Sequence, residues 1–186
     1  MQIRPGHLDD LDRLIDLDGT IESGEYLHVE RGGEGLAASW RIEERPLRDK
    51  RIDANAVDDD RRFTLKQVLG GVEDGTVLVA EHDEQLVALA VARQDPQRQT
   101  LDLVDLRVDY DFRRQGLGSA MLFQLIAGAR DAGLRAVSAT TLTNNVPAAR
   151  FLAKSGFDLG GVDTHFATNH DLVKEAVTLF WYAALD

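Results

Sequence analysis

Three features of the sequence predict an α+β fold with a mixed sheet. Three apolar, strand-like runs at 76–81, 85–93 and 100–108 follow one another across short polar links, the pattern of an antiparallel meander. A strongly amphipathic helical stretch, a strand and a second helix then succeed each other between residues 118 and 155. No internal repeat, low-complexity tract or composition break divides the chain, so residues 1–186 are expected to form one domain.

The elements are predicted in order. Gln2–Arg4 reads as a short strand. His7–Asp18 places Leu8, Leu11, Leu14, Ile15 and Leu17 at helical spacing with aspartates opposite. Glycines punctuate residues 19–62, where Leu36–Glu44 reads as a short helix ending before Pro46 and Arg48–Arg62 as an exposed connection. A further helical turn is expected at Leu65–Leu69. Thr76–Glu81 and Gln85–Arg93 form a hairpin across His82-Asp83-Glu84, and Thr100–Val108 is the next strand. Gly118–Ala132 is helical, with Leu122, Leu125, Ile126 and Ala129 on one stripe and Gly133 as the stop. Leu134–Thr140 is a strand. Asn144 or Asn145 caps a helix that runs to Ser155 and ends at Gly156, and strands follow at Phe157–Phe166 and Ala176–Ala184.

Composition narrows the function. The net charge is −11, and residues 1–60 carry 16 acidic against 8 basic side chains. Such a chain repels nucleic-acid phosphates and favours a cationic ligand, although solubility alone would also explain the charge. There is no cysteine, which excludes disulfides, thiolate metal ligands and a cysteine nucleophile. No run approaches the ~20 apolar residues of a membrane span, and the N-terminus lacks the layout of a signal peptide, so a cytoplasmic protein without a membrane partner is expected.

The most informative segment runs from Leu106 to Ser119. An apolar strand ends, a turn carries Arg113, Arg114, Gly116 and Gly118, and a helix begins at once. Glycines admit close backbone approach, and the free N–H groups of a helix's first turn favour an anion, with a pyrophosphate as the natural guest. No Gly-Lys-Ser/Thr follows, which excludes a Walker loop; Met121 stands where a dinucleotide fingerprint needs its third glycine. A tight strand-to-helix turn with solubilising arginines remains the alternative reading.

Leu106, Val108, Arg113, Gly116 and Gly118 resemble the acetyl-CoA signature of the GNAT superfamily of N-acetyltransferases. Asn145-Val146-Pro147-Ala148 through Lys154-Ser155-Gly156-Phe157 is similar to a second conserved block of that superfamily. The tail, with Gly161-Val162-Asp163-Thr164 and Lys174-Glu175-Ala176-Val177 before Phe180-Trp181-Tyr182, resembles the end of streptothricin acetyltransferases. The resemblance implies a three-layer α/β/α arrangement around a mostly antiparallel sheet. It also implies acetyl-CoA as co-substrate, with no metal. Its backbone and phosphate contacts would fall on Leu106, Arg107, Val108, Arg113, Arg114, Gln115, Gly116, Leu117, Gly118, Ser119 and Asn145. The acceptor would be a small cationic amine attacking directly in a ternary complex, and the enzyme a monomer or homodimer. A protein or peptide acceptor, or an acyl-CoA-binding protein with little catalysis, are the alternatives.

Amine attack needs a base, and Asp105 and Asp102 are the candidates. Both interrupt an apolar strand, where an unpaired buried charge is costly, and a spacing of three puts them on opposite faces. Pairing with an arginine such as Arg107 would explain one of them without catalysis. The superfamily's tyrosine acid falls at Leu152, which cannot donate a proton; Ser155, Tyr110 and Tyr182 are the available substitutes. His28, His82 and His165 carry weaker claims.

Overall fold

The computed structural model describes residues 1–185 as a mixed α+β protein with a large, mostly antiparallel sheet and three α-helices. Its contacts divide the chain into two compact units. The first comprises Met1–Thr20, Ala54–Ala139 and residues 184–185; the second comprises Ile21–Asp53 and Thr140–Ala183.

In the first unit the strands lie in the order β1 (Gln2–Pro5), β4 (Gly75–His82), β5 (Gln85–Asp95), β6 (Thr100–Val108) and β7 (Ala136–Leu142, of which Ala136–Ala139 belong here); β2 and β3 fall in the second unit. All pairings are antiparallel except β6 with β7. Val77–Ala80 and Leu86–Ala92 are buried without alternation, because both faces of these strands are covered. One face packs Val77, Val79, Leu89 and Val91 against Leu65 and Val68 of α1 (Asp59–Leu69) and against Leu14 and Leu17. The other presents Ala80, Ala88 and Ala90, small enough for a helix to come close. Helix α2 (Leu117–Asp131) packs on β4, β5 and β6 through Met121, Leu122, Leu125 and Ile126. It supplies the crossover that a parallel β6–β7 pair requires, and Gly133, at φ 71°, stops it as predicted. The β4–β5 hairpin turns on Asp83 and Glu84, both left-handed at φ 47° and 64°, the backbone of a two-residue turn matched to strand twist.

The second unit holds a long antiparallel ribbon, β2 (Ile21–Gly32) with β3 (Ser39–Asp53). Helix α3 (Val146–Lys154) packs on β2, and β8 (Asp158–Asp163) pairs with β9 (Thr178–Ala184). Arg150 on α3 ion-pairs with Glu44 and, at 3.7 Å, Glu25; the Leu27 N–H donates to the Thr143 carbonyl at 2.8 Å. Trp181 Nε1–H donates to the buried Thr141 hydroxyl at 2.9 Å.

The structure corrects the sequence reading before residue 60. The helix expected at Leu36–Glu44 is a 3-10 turn at Gly35–Ala37 running into β3, and residues 48–53 complete that strand. A two-stranded ribbon this polar, crossed by the Glu22–Lys50 pair, lacks the alternation that marks a strand. The expected helix at His7–Asp18 is two 3-10 turns, Leu8–Asp10 and Arg13–Asp16. Asp10 points inward, taking Arg4 at 2.8 Å, Arg13 at 3.2 Å and the His7 N–H at 2.9 Å, whereas Leu8 and Ile15 stay exposed. Among the described residues, no helix is long and apolar enough to cross a membrane.

Candidate active site

The site is built on the end of β6. Its parallel ladder with β7 runs from Thr100↔Ala136 to Leu103↔Ala139, whereas β6 continues to Val108, paired on its other side with β5 as far as Ala88. Within the first unit, the backbone of Leu106, Arg107 and Val108 therefore presents an edge to whatever ligand lies beside it. A register shift between Val91 and Ala92 inserts Val104 as an extra residue in β6.

That bulge corrects the expected geometry of the aspartates. Asp102 lies opposite Arg93 and Asp105 opposite Val91, two residues apart on β5, so the two share a face. Oδ1 of Asp102 accepts from the Thr100 hydroxyl at 2.7 Å and the Ser138 hydroxyl at 2.6 Å, and Oδ2 accepts from Arg98 at 2.5 Å. The Ser138 contact ties β6 to β7. Asp105 pairs with Arg107, whose guanidinium donates to it at 2.6 Å through Nη2 and whose Nη1 donates to the Asn55 carbonyl at 2.6 Å. The Arg107 side chain is 2% exposed and that of Asp105 14%. Arg107 can thus offer a ligand only its backbone. Oδ1 of Asp105 takes one longer contact, 3.2 Å from Nε, and keeps room to accept a proton.

Beyond Val108 the chain turns at Tyr110–Phe112. The buried Asp109 carboxylate caps this turn, accepting from the Asp111 N–H at 3.2 Å and the Asp18 N–H at 3.1 Å. Arg114 and Gly116 follow in left-handed conformations, φ 60° and 80°, and α2 starts at Leu117. A Cβ built on Gly116 meets no atom within 4 Å, so the turn opens onto free space. The first bond of the helix is Ala120 N–H to the Gly116 carbonyl at 2.9 Å. The N–H groups of Leu117, Gly118 and Ser119 consequently lack helical partners and head a 15-residue dipole. Leu117 buries its side chain and has only backbone to offer; Gln115 is exposed and donates to the Asp111 carbonyl at 3.3 Å. These features suit a diphosphate: open space, unpaired N–H groups and a glycine at positive φ.

The two arginines separate. Arg113, expected as a phosphate ligand, is turned into the protein. Nε donates to the Val108 carbonyl at 2.8 Å, Nη1 to Thr20 at 2.6 Å and Nη2 to Asp18 at 3.3 Å, with the guanidinium 5.2 Å from the Tyr110 ring centroid. Backbone oxygens thus engage three of its five N–H donors. Arg114 is exposed and its side chain has no hydrogen-bond or ion-pair partner among the described residues.

In the second unit Asn145 caps α3 as predicted, its side-chain carbonyl accepting from the Ala148 N–H at 3.3 Å, while Gly156 takes φ 88°. Leu152 is 3% exposed. Tyr182 lies against Gly160, and His28 meets the edge of Tyr26 opposite Glu43. In the first unit His82 is half-exposed against Phe112, and Tyr110 is exposed. Asp109, Asn55 and the Asp18–Thr20 loop were missed from sequence. Only Asp109 carried a signal, an aspartate just before a turn.

A sequence profile of the Acetyltransferase (GNAT) family matches residues 35–157, and the chain belongs to that family of acetyltransferases. Streptothricin acetyltransferase A of Bacillus subtilis (strain 168) is 33% identical over 78 residues, 42% of this chain and 44% of that protein, so the match spans under half of the relative. A structure described as a candidate streptothricin acetyltransferase from Bacillus anthracis str. Ames, in complex with acetyl coenzyme A, superposes with a TM-score of 0.79 at 18% identity, covering 100% of this chain and 97% of that one. Nourseothricin acetyltransferase gives 0.79 at 21% identity, covering 100% and 98%. The ribosomal-protein-S18-alanine N-acetyltransferase of Escherichia coli gives 0.63 at 16%, covering 100% and 94%.

Proposed function

We propose that the chain transfers the acetyl group of acetyl-CoA to a primary amine of a small, cationic, streptothricin-like substrate. The observation that carries the donor half is the open turn at Gly116, with its positive φ and the unpaired N–H groups heading α2. The diphosphate is held by those N–H groups and by Arg114, and the backbone edge of Leu106–Val108 lies beside the pantetheine arm. Asp105 is the base. It takes a proton from the ammonium, directly or through water, so that the neutral amine attacks the thioester carbonyl; as the C–S bond breaks, the surplus proton on nitrogen passes through water to the CoA thiolate, which leaves as the thiol. Asp102 is set aside because each of its oxygens already accepts a bond of 2.7 Å or shorter, whereas Oδ1 of Asp105 takes only the 3.2 Å contact. The acceptor assignment is supported by the acidic first third of the sequence and by the streptothricin-acetylating relatives.

Release of CoA thiol is the test, measured against streptothricin, an aminoglycoside, a polyamine and a peptide with a free N-terminus. Turnover with a cationic small molecule and none with the peptide is the expected result. Preference for the peptide would move the protein to N-terminal acetylation, and CoA binding without turnover would make it an acyl-CoA-binding protein, as Leu152 at the acid position would allow.

A further inference from the structure

The wiring of Arg113 goes beyond phosphate binding. Its guanidinium joins the carbonyl that ends β6, Val108, to the carbonyls of Asp18 and Thr20, about ninety residues earlier in the chain. The same loop is held from two more directions. The Asp109 carboxylate accepts from the Asp18 N–H, and Asn55 Nδ2–H donates to the Gly19 carbonyl at 3.1 Å. Gly19 itself is closely packed: a Cβ there would lie 3.0 Å from Arg107 Nη1 and 3.1 Å from the Asn55 carbonyl. The Asp18 N–H and the Asp18 and Thr20 carbonyls are thus fastened to the turn that follows β6, and the Gly19 carbonyl to Asn55. Arg113 is the member of this clasp that belongs to the phosphate turn, one residue before the left-handed Arg114.

We infer that Arg113 is a positioning residue, not a phosphate ligand, and that it transmits occupancy of the CoA turn to the Asp18–Thr20 loop, which leads into β2. Arg114 and the helix N–H groups read the diphosphate charge. A ligand that fixes the turn then fixes the loop through the three carbonyl bonds of one planar fork. Lysine keeps the charge of Arg113 but cannot make that fork, since its single ammonium has no fixed planar geometry. Glutamine loses both.

This inference rests on the turn being the CoA site, and the experiment separates the two. Hydrogen exchange at Asp18–Thr20 is followed with and without acetyl-CoA in the wild type, Arg113→Lys, Arg113→Gln and Arg114→Gln, with melting temperatures recorded to confirm folding. Affinity is measured by titration at low and high salt. In the wild type, acetyl-CoA should slow exchange at Asp18–Thr20. Arg113→Lys and Arg113→Gln should both exchange faster there without ligand and lose the ligand-induced protection, yet keep the wild-type salt dependence of affinity. Arg114→Gln should keep the protection but weaken binding by about tenfold to a hundredfold at low salt, the value of one charged hydrogen bond, with a flatter salt response. Wild-type affinity in Arg113→Lys combined with a flattened salt response in Arg113→Gln would make Arg113 a phosphate ligand and overturn the inference. So would unchanged exchange at Asp18–Thr20 in both Arg113 variants. No binding of acetyl-CoA by the wild type would instead overturn the donor-site reading, while faster unliganded exchange in the Arg113 variants would still report the clasp.

Discussion

Replacing Gly116 by valine separates ligand binding from folding at a single position. The residue sits at φ 80°, where an L side chain costs roughly 1–2 kcal/mol. Nothing else opposes the substitution in the folded chain, because a Cβ at Gly116 has no neighbour within 4 Å. For a chain of this size each kcal/mol moves the midpoint by about 2–4 °C, so Gly116→Val should melt roughly 2–8 °C below the wild type. The isopropyl group fills the space a diphosphate would use and holds it away from the N–H groups of Leu117–Ser119. Loss of acetyl-CoA affinity should therefore exceed about a hundredfold, or about 2.7 kcal/mol, well beyond the folding penalty. Gly116→Ala carries similar backbone strain with one methyl group and should fall between the two. Gly75→Ala is the control: its Cβ would sit 2.3 Å from the Ala92 carbonyl oxygen, in the β4–β5 ladder away from the turn. It should lower the melting temperature more than Gly116→Val and leave affinity in the surviving folded protein unchanged. Calorimetric titration and thermal melting of the three variants are the assays. A folded Gly116→Val that binds acetyl-CoA like the wild type would refute the assignment of the diphosphate to this turn.

Asp105→Asn should lower kcat by about 10²–10⁴ at unchanged acetyl-CoA affinity if Asp105 is the base, whereas a fall in melting temperature that tracks the lost activity would make it only the partner of Arg107. Asp105→Ala should be far less stable, by about 3–5 kcal/mol, because it strands a buried guanidinium; denaturant titration checks this. Asn145→Ala should cost about 1 kcal/mol as a lost helix cap, whereas Asn145→Ser retains the cap without the amide, so any loss of affinity in the serine variant reports the amide alone. Asp10 is held at about 2, below the usual 3.8, chiefly by its hydrogen bond from Arg4. A depressed carboxyl stabilises the fold above pH 4 and loses that contribution as pH falls through about 2. Asp10→Asn should therefore be less stable at neutral pH by about 2 kcal/mol and converge with the wild type near pH 2 in urea titrations.

What the sequence showed follows from what each part of the protein asks of it. A turn that offers a ligand backbone N–H groups demands glycines, a strand end and a helix start at fixed spacing. Gly116, Gly118 and the boundaries of β6 and α2 were therefore readable within a residue or two. The meander was readable for a similar reason: Val77–Ala80 and Leu86–Ala92 need continuous apolar runs once helices cover both faces. The ribbon β2–β3 was not. Its register pairs residues such as Glu30 with Arg41 and His28 with Glu43, so side-chain polarity does not alternate and the strands read as charged loop.

The side chains that wire the site follow a different logic, in which one inserted residue changes the outcome. Spacing alone sends Asp102 and Asp105 to opposite faces. The bulge at Val104 reverses that parity and puts Asp102 on the face that Asp105 already shares with Arg107, whose guanidinium pairs with Asp105 and reaches the Asn55 carbonyl. Arg113 shows the same effect from the opposite direction. Two adjacent arginines beside a glycine turn look equivalent in sequence, and both invite a phosphate. The backbone makes them unequal: φ at Arg114 is 60°, and the side chain before that inversion reaches back to Val108, Thr20 and Asp18 while Arg114 faces outward. A left-handed residue in a turn thus does two things, bringing N–H groups to the ligand and sorting neighbouring charges into one that holds the turn and one free to meet an anion.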